Sequence, residues 1–212
     1  MRNDFFWEYI EPYAHLWKGK AVLDVGAGTG WLVNKARECG ASLVVGIEPS
    51  EKNIAQGRED HPQTELIQTT LEEYDSKGQR FEAIVAVMSF PHIADVDKAF
   101  KIFRSLLDEA GEVIIVIPDY DYSGTQRHDY SLEKQAIDED QYAVELTRSW
   151  GVMADIIRKT NVYQSAAESS GFYLVEEKEM VPTERQIASA PKYAAFKDKA
   201  ITRLLRFKMK SI

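Results

Sequence analysis

The sequence predicts an α/β fold: a doubly wound, seven-stranded, mostly parallel sheet whose last strand runs antiparallel. Three observations carry this. Short apolar runs alternate with segments of helical periodicity, the pattern of βαβ units with a sheet covered on both faces. That rhythm fits from Ala21 to Pro118 without strain. A late alternating stretch, Ile201 to Met209, can pair antiparallel with the sixth apolar run. At 212 residues the chain fits a single domain, 1–212, with an insertion at 119–158 between the fifth and sixth strands.

The elements follow in order. Phe6, Tyr9, Ile10, Tyr13 and Leu16 or Trp17 lie at helical spacing over residues 5–17, with Pro12 expected to interrupt the helix. Ala21–Val25 is a short apolar run ending in glycines, hence a buried strand. Thr29 to Cys39 puts Leu32, Ala36 and Cys39 on one helical face, and Gly40 stops it. Leu43–Ile47 is the second strand. Ser50 caps a helix running to about Glu59, with Glu51 in the first turn, where a negative charge suits the helix dipole. Glu65–Gln68 and Ala83–Val87 are the third and fourth strands. Val96, Phe100, Phe103 and Leu107 recur at offsets of three and four, an amphipathic helix. Glu112–Ile117 is the fifth strand, closed by Pro118.

After Pro118 the pattern breaks. Residues 119–141 are polar, acidic and rich in tyrosine. Tyr142–Arg148 and Val152–Arg158 flank Ser149-Trp150-Gly151 as a hairpin, against the competing reading of one helix from Tyr142 to Ser170. Thr160–Ser170 is helical on either reading, and Phe172–Glu176 is the sixth strand. In the tail, Lys199, Arg203, Arg206, Lys208 and Lys210 alternate with apolar residues and read as the wet face of a strand.

Composition narrows the function classes. Hydrophobic residues at 44% and charged residues at 28% exclude wholesale disorder. No run approaches the ~18 apolar residues of a membrane helix, and the start Met1-Arg2-Asn3-Asp4-Phe5-Phe6-Trp7 lacks the features of a secretory signal. The single cysteine, Cys39, excludes an internal disulfide and an all-cysteine zinc site. A cytoplasmic protein without membrane attachment is the expectation. A net charge of −8 argues against nucleic acid as a partner.

The one specific motif is Asp24-Val25-Gly26-Ala27-Gly28-Thr29-Gly30, between a strand and a helix. Glycines there let the backbone turn sharply and approach a ligand closely. A dinucleotide fingerprint would place its third glycine at position 31, which holds Trp31. The acid Glu48 ends the second strand, at the sheet edge beside the glycines, where a carboxylate can accept two ribose hydroxyls.

Val22 to Gly30 together with Glu48 resembles the class I S-adenosylmethionine-dependent methyltransferases, whose fold is a Rossmann-like version of the sheet described above. The resemblance implies S-adenosylmethionine as cofactor. It places Asp24 near the methionine amino group, Gly26, Ala27 and Gly28 against the methionine and ribose, Glu48 on the ribose, and Pro49 against the adenine. Thr70 and Leu71 stand where the family contacts adenine, although many members have an aspartate where this chain reads Gln68-Thr69-Thr70-Leu71. Met88-Ser89-Phe90 and His92 follow the fourth strand, where the methyl group should face its acceptor.

Methyl transfer from a sulfonium needs alignment at about 3–3.5 Å and an unprotonated acceptor. His92 is the first candidate base, its alternative being a residue that only closes the cofactor site. His128, in the insert, is the second, its alternative being a surface residue. The Asn/Asp-Pro-Pro-Tyr/Phe run of enzymes that methylate bases or amides is replaced by Ser89-Phe90-Pro91-His92. The expectation is methyl transfer to oxygen or nitrogen of a small molecule, with residues 119–158 as a cap and Phe5, Phe6, Tyr9 and Tyr13 walling the acceptor pocket. A protein or peptide acceptor, kept open by Asp138-Glu139-Asp140, and a non-catalytic cofactor-binding module are the alternatives. If the insert does not serve the ligand, it serves a homodimer contact.

Overall fold

A computed structural model describes residues 2–125, 131–148 and 151–210. Among these, seven strands form one sheet in the order β3-β2-β1-β4-β5-β10-β9, and three form a second, β6-β7-β8. β1 (Ala21–Val25), β2 (Leu43–Glu48), β3 (Glu65–Gln68), β4 (Phe81–Val87) and β5 (Leu107–Pro118) run parallel. β10 (Thr202–Met209) lies antiparallel between β5 and β9 (Phe172–Met180). The predicted fold class is the observed one.

Successive residues of each strand serve opposite faces, which gives the sheet two cores. On one face Leu23, Val25, Ile84, Ala86 and Ile115 meet Phe100 and Phe103 of α4 (Val96–Leu106) and Tyr163 and Ala167 of α6 (Thr160–Ser169). On the other, Val22, Val44, Ala83, Val85 and Ile114 meet Leu32, Val33 and Ala36 of α2 (Trp31–Glu38). Ile54 of α3 (Glu51–Asp60) and Ile10 and Trp17 from the N-terminal segment join that side. Ser50 caps α3 as expected, its hydroxyl accepting the Asn53 N–H at 3.3 Å. Among the described residues no helix is long and apolar enough to cross a membrane.

Several expectations are corrected. Pro12 does not interrupt α1 (Arg2–Ala14). The helix runs through it and tightens into a 3-10 turn at His15–Trp17. A proline removes one helical hydrogen bond, and burial of Ile10, Ala14 and Trp17 against the sheet offsets that loss. α2 starts at Trp31, not Thr29, because Gly28 and Gly30 hold left-handed conformations that end the turn before it. The basic residues of the tail do not share one wet face: Lys199 and Lys210 are exposed beyond the ends of β10, whereas Arg203 and Arg206 are partly buried within it. β10 is an interior strand covered on both faces, with Leu205 and Phe207 in one core and Leu204 in the other, so Arg203 and Arg206, three residues apart, fall on opposite faces. Arg203 instead pairs with Asp119, Glu177 and Glu179, and Arg206 with Glu112.

The insert folds as the hairpin reading required. β7 (Gln141–Arg148) and β8 (Gly151–Arg158) pair antiparallel, and the competing long helix is excluded. Two elements were not anticipated: α5 (Tyr120–Ser123), and β6 (Ser131–Ala136), which adds to the other edge of β7. Trp150 lies outside the described residues. Tyr142 anchors this small sheet, buried and donating its hydroxyl to the Tyr120 carbonyl at 2.6 Å. Beyond β9 the chain forms α7 (Glu184–Ser189) and a 3-10 stretch at Pro191–Phe196.

Candidate active site

The carboxyl ends of β1, β2 and β4 open onto a cavity of about 520 Å³, within the range of small-molecule sites. The glycine loop forms its floor. Gly26 and Ala27 donate their N–H groups to the Ile47 carbonyl at 2.9 and 3.0 Å, which ties the loop to the end of β2. Gly26, Gly28 and Gly30 have φ of +74°, +56° and +79°, a region costly for residues with a Cβ. A Cβ on Gly26 would stand 2.4 Å from the Cβ of Ser89, so the loop also packs on the segment after β4. A Cβ on Gly28 would meet nothing within 4 Å, so the space above this cavity-lining residue is open.

Glu48 ends β2 at 7% exposure and lines the same cavity. Its Oε2 accepts the Gly28 N–H at 2.9 Å, and its Oε1 accepts the Ser50 N–H at 3.0 Å and the Asn53 side-chain amide at 3.2 Å. Three donors hold the carboxylate in one orientation and leave one further lone pair, on Oε2.

Asp24 lies one residue below the lining residue Val25 and is not itself on the wall. It is 3% exposed, and its carboxyl accepts no hydrogen bond from the described residues. Burial, and then the nearby Glu48 charge, push its pKa up to about 8. A cation at the cavity floor would relieve both causes.

Gly26, Ala27, Gly28, Glu48, Pro49, Thr70, Leu71, Met88 and His92 were named from sequence, and all line this one cavity. Thr70 lines it with its hydroxyl already engaged, donating to Glu73 at 3.1 Å and accepting the Glu73 N–H at 3.3 Å. Met88 holds φ +59°, an uncommon value for a residue with a side chain, and its N–H is fixed on the Val116 carbonyl at 2.8 Å. His128, the second candidate base, lies outside the described residues.

The aromatic wall is corrected. Of Phe5, Phe6, Tyr9 and Tyr13, only Phe6 lines the cavity. The C-terminal segment 181–196 packs across α1 and engages two of the others. Phe5 stacks on Tyr193 with ring centroids 5.6 Å apart, and the Tyr9 hydroxyl bonds the Val181 carbonyl. Tyr13 lies against Arg206. From the insert, Met153 reaches the cavity.

Sequence reasoning missed Thr29, Trp31, Asn53, Thr69, Glu72 and Ile93 on the wall. Asn53 was within reach of it, since Ser50 as a cap places the third residue of the helix beside the end of β2.

A family model described as a methyltransferase domain matches residues 6–177. The ubiquinone biosynthesis O-methyltransferase of Bradyrhizobium diazoefficiens is 32% identical over 101 residues, 46% of this chain and 39% of that protein. The tRNA U34 carboxymethyltransferase of Pseudoalteromonas translucida is 40% identical over 55 residues, 26% of this chain and 17% of that protein. The match thus spans well under half the length of these curated relatives. An S-adenosylmethionine-dependent methyltransferase structure from Mesorhizobium loti superposes with a TM-score of 0.76 at 21% identity, covering 96% of this chain and 97% of the other. One from Clostridium acetobutylicum gives 0.67 at 16% identity, covering 98% and 90%. At these identities the likeness is one of fold.

Proposed function

The chain belongs to the class I S-adenosylmethionine-dependent methyltransferases, and we propose from that premise that it transfers a methyl group from S-adenosylmethionine to a heteroatom of a small molecule. The observation that carries this reading is the hydrogen bond from the glycine loop to Glu48 on the wall of one cavity, with Asp24 buried just beneath that loop. Bound S-adenosylmethionine supplies a methyl group on a positively charged sulfur. The residues fit that group. The oriented carboxylate of Glu48 has a lone pair left on Oε2 for one ribose hydroxyl, and a second hydroxyl can take the place of the Asn53 amide on Oε1. Asp24 is a buried carboxyl without a hydrogen-bond partner among the described residues, suited to an ammonium directly or through a water. The bare backbone at Gly28 leaves room for a ligand to lie flat against it. Leu71 and Pro49 offer apolar contact to a base at the β2–β3 side.

Met88 and His92 follow β4, on the other side of β1 from β2 and β3, and that end of the cavity suits the acceptor. Met153 brings the insert to that end, which supports reading residues 119–158 as a substrate cap. The acidic run gives less support to a basic peptide as acceptor. Asp140 is taken up by Lys159 and Asn161, and Asp138 by Gln141 and its own turn. The intact glycine loop and Glu48 give no support to a non-catalytic module.

Isothermal titration calorimetry tests the reading. S-adenosylmethionine and S-adenosylhomocysteine are expected to bind in the micromolar range, and NAD is not. Binding of NAD with neither of the others would overturn it.

A further inference from the structure

We propose that His92 and Asp155 work as a pair that takes the proton from an acceptor hydroxyl, with Asp155 as the positioning residue, so that the insert supplies half of the proton acceptor. The inference rests on the reading of the cavity as a methyl-transfer site and deepens it by naming the acceptor class.

His92 sits on the cavity wall with its side chain 57% exposed, and Asp155 of β8 faces it at 13% exposure. Asp155 Oδ1 is 3.4 Å from His92 Nδ1. This is slightly longer than a direct hydrogen bond, and such contacts commonly tighten once substrate is bound. A carboxylate at Nδ1 favours the tautomer with its proton there, and leaves Nε2 with a lone pair for the cavity that the ring lines.

A second observation comes from the same strand. Arg158, three residues after Asp155, is 3% exposed. It donates to the carbonyls of Phe90, Ile93 and Ala94 at 3.2, 2.9 and 3.0 Å, and to the Gln141 side chain at 3.2 Å. Those carbonyls bracket His92. β8 therefore clamps the backbone that carries the imidazole and also presents a carboxylate to its ring. A buried guanidinium that gives three bonds to one short turn holds that turn in a single position.

The chemistry selects the acceptor. A neutral amine already has its lone pair, and a thiol ionises readily near neutral pH, so neither needs the pair. An ammonium would place a second cation beside the sulfonium, which is unfavourable. A hydroxyl needs proton removal and adds no charge. In the step, the hydroxyl proton passes to Nε2 of His92 as the oxygen forms its bond to the methyl carbon. The carbon–sulfur bond of the donor breaks and its electron pair stays on sulfur. The resulting imidazolium is paired by Asp155 until the proton leaves to solvent.

The test is the tautomer of His92 in the full chain labelled with ¹⁵N-histidine, read from two-bond ¹H–¹⁵N correlations about two pH units above the usual imidazole pKa of ~6.5. His92→Gln assigns the signal among the four histidines. The expected result is an Nδ1–H imidazole in the wild type, a ratio inverted at least tenfold toward Nε2–H in Asp155→Ala, and return of the Nδ1–H form in Asp155→Glu. An Nε2–H imidazole in the wild type, or an Nδ1–H form that persists in Asp155→Ala, would overturn the pairing. Calorimetry on the same samples separates the two layers. All three proteins are expected to bind S-adenosylmethionine within threefold of one another, and absence of binding to the wild type overturns the methyl-transfer reading, whatever the tautomer.

Discussion

The Glu48 carboxylate accepts the Gly28 N–H at 2.9 Å, so the end of β2 and the turn after β1 hold each other in place. This single contact makes Glu48 a brace for the glycine loop and, on the proposed function, a binding group as well. Glu48→Gln keeps the volume but replaces one acceptor oxygen by an amide that cannot accept. Hydrogen bonds to a charged group are worth about 1.5–3 kcal/mol each. Affinity for S-adenosylhomocysteine is therefore expected to fall by about 10- to 150-fold, measured by calorimetry. Unchanged affinity would place the ribose elsewhere.

The approach of Gly26 to Ser89 makes a second prediction. In Gly26→Ala the new methyl meets the Ser89 Cβ at 2.4 Å, at a φ of +74° that alanine tolerates poorly. Overpacking costs about 1–3 kcal/mol, and the backbone strain adds about 1 kcal/mol. Gly28→Ala carries only the strain, because nothing lies within 4 Å. In urea unfolding, Gly26→Ala is expected to be the less stable of the two, and Ser89→Gly is expected to recover part of the difference. Equal stabilities with no recovery would mean that the loop yields freely.

The architecture, and the residues that line the cavity at the ends of β1 and β2, were legible because their causes are local. Apolar runs ending in glycine specify β1 and its turn, and an acid at the end of β2 needs only the parallel pairing of β1 and β2 to reach Gly28. What failed depended on distant chain. Tyr9 and Phe5 were assigned to the cavity because residues 181–196 carried no assigned structure, yet that segment takes them. Its signal was present in Thr183-Glu184-Arg185-Gln186, a capping box whose glutamine goes on to donate to Phe5 and Glu8 of α1. Asp155 had no local signature. Only the hairpin's docking on the turn after β4 brings it to His92.

The third prediction concerns Asp24. Its pKa in the folded protein is about 8, raised first by burial and then by Glu48, against 3.8 for an ordinary aspartate. Between these values the folded state holds a proton that the unfolded state has released. Stability then falls as pH rises, by up to about 1.4 kcal/mol per pH unit for one group, and levels off above about 8. Asp24→Asn has no such proton to lose. Urea unfolding from pH 5 to 9 is expected to show the wild type losing stability relative to Asp24→Asn as pH rises, with the gap constant beyond about 8. On the proposed function, saturating S-adenosylhomocysteine brings an ammonium close to Asp24, which favours the ionised carboxyl. The window is therefore expected to move to lower pH, and binding near neutrality to release a proton, detectable as a dependence of calorimetric heat on the buffer's ionisation enthalpy. Parallel stability curves for the two proteins would mean that Asp24 ionises as it does in water and that no cation is called for beneath the glycine loop.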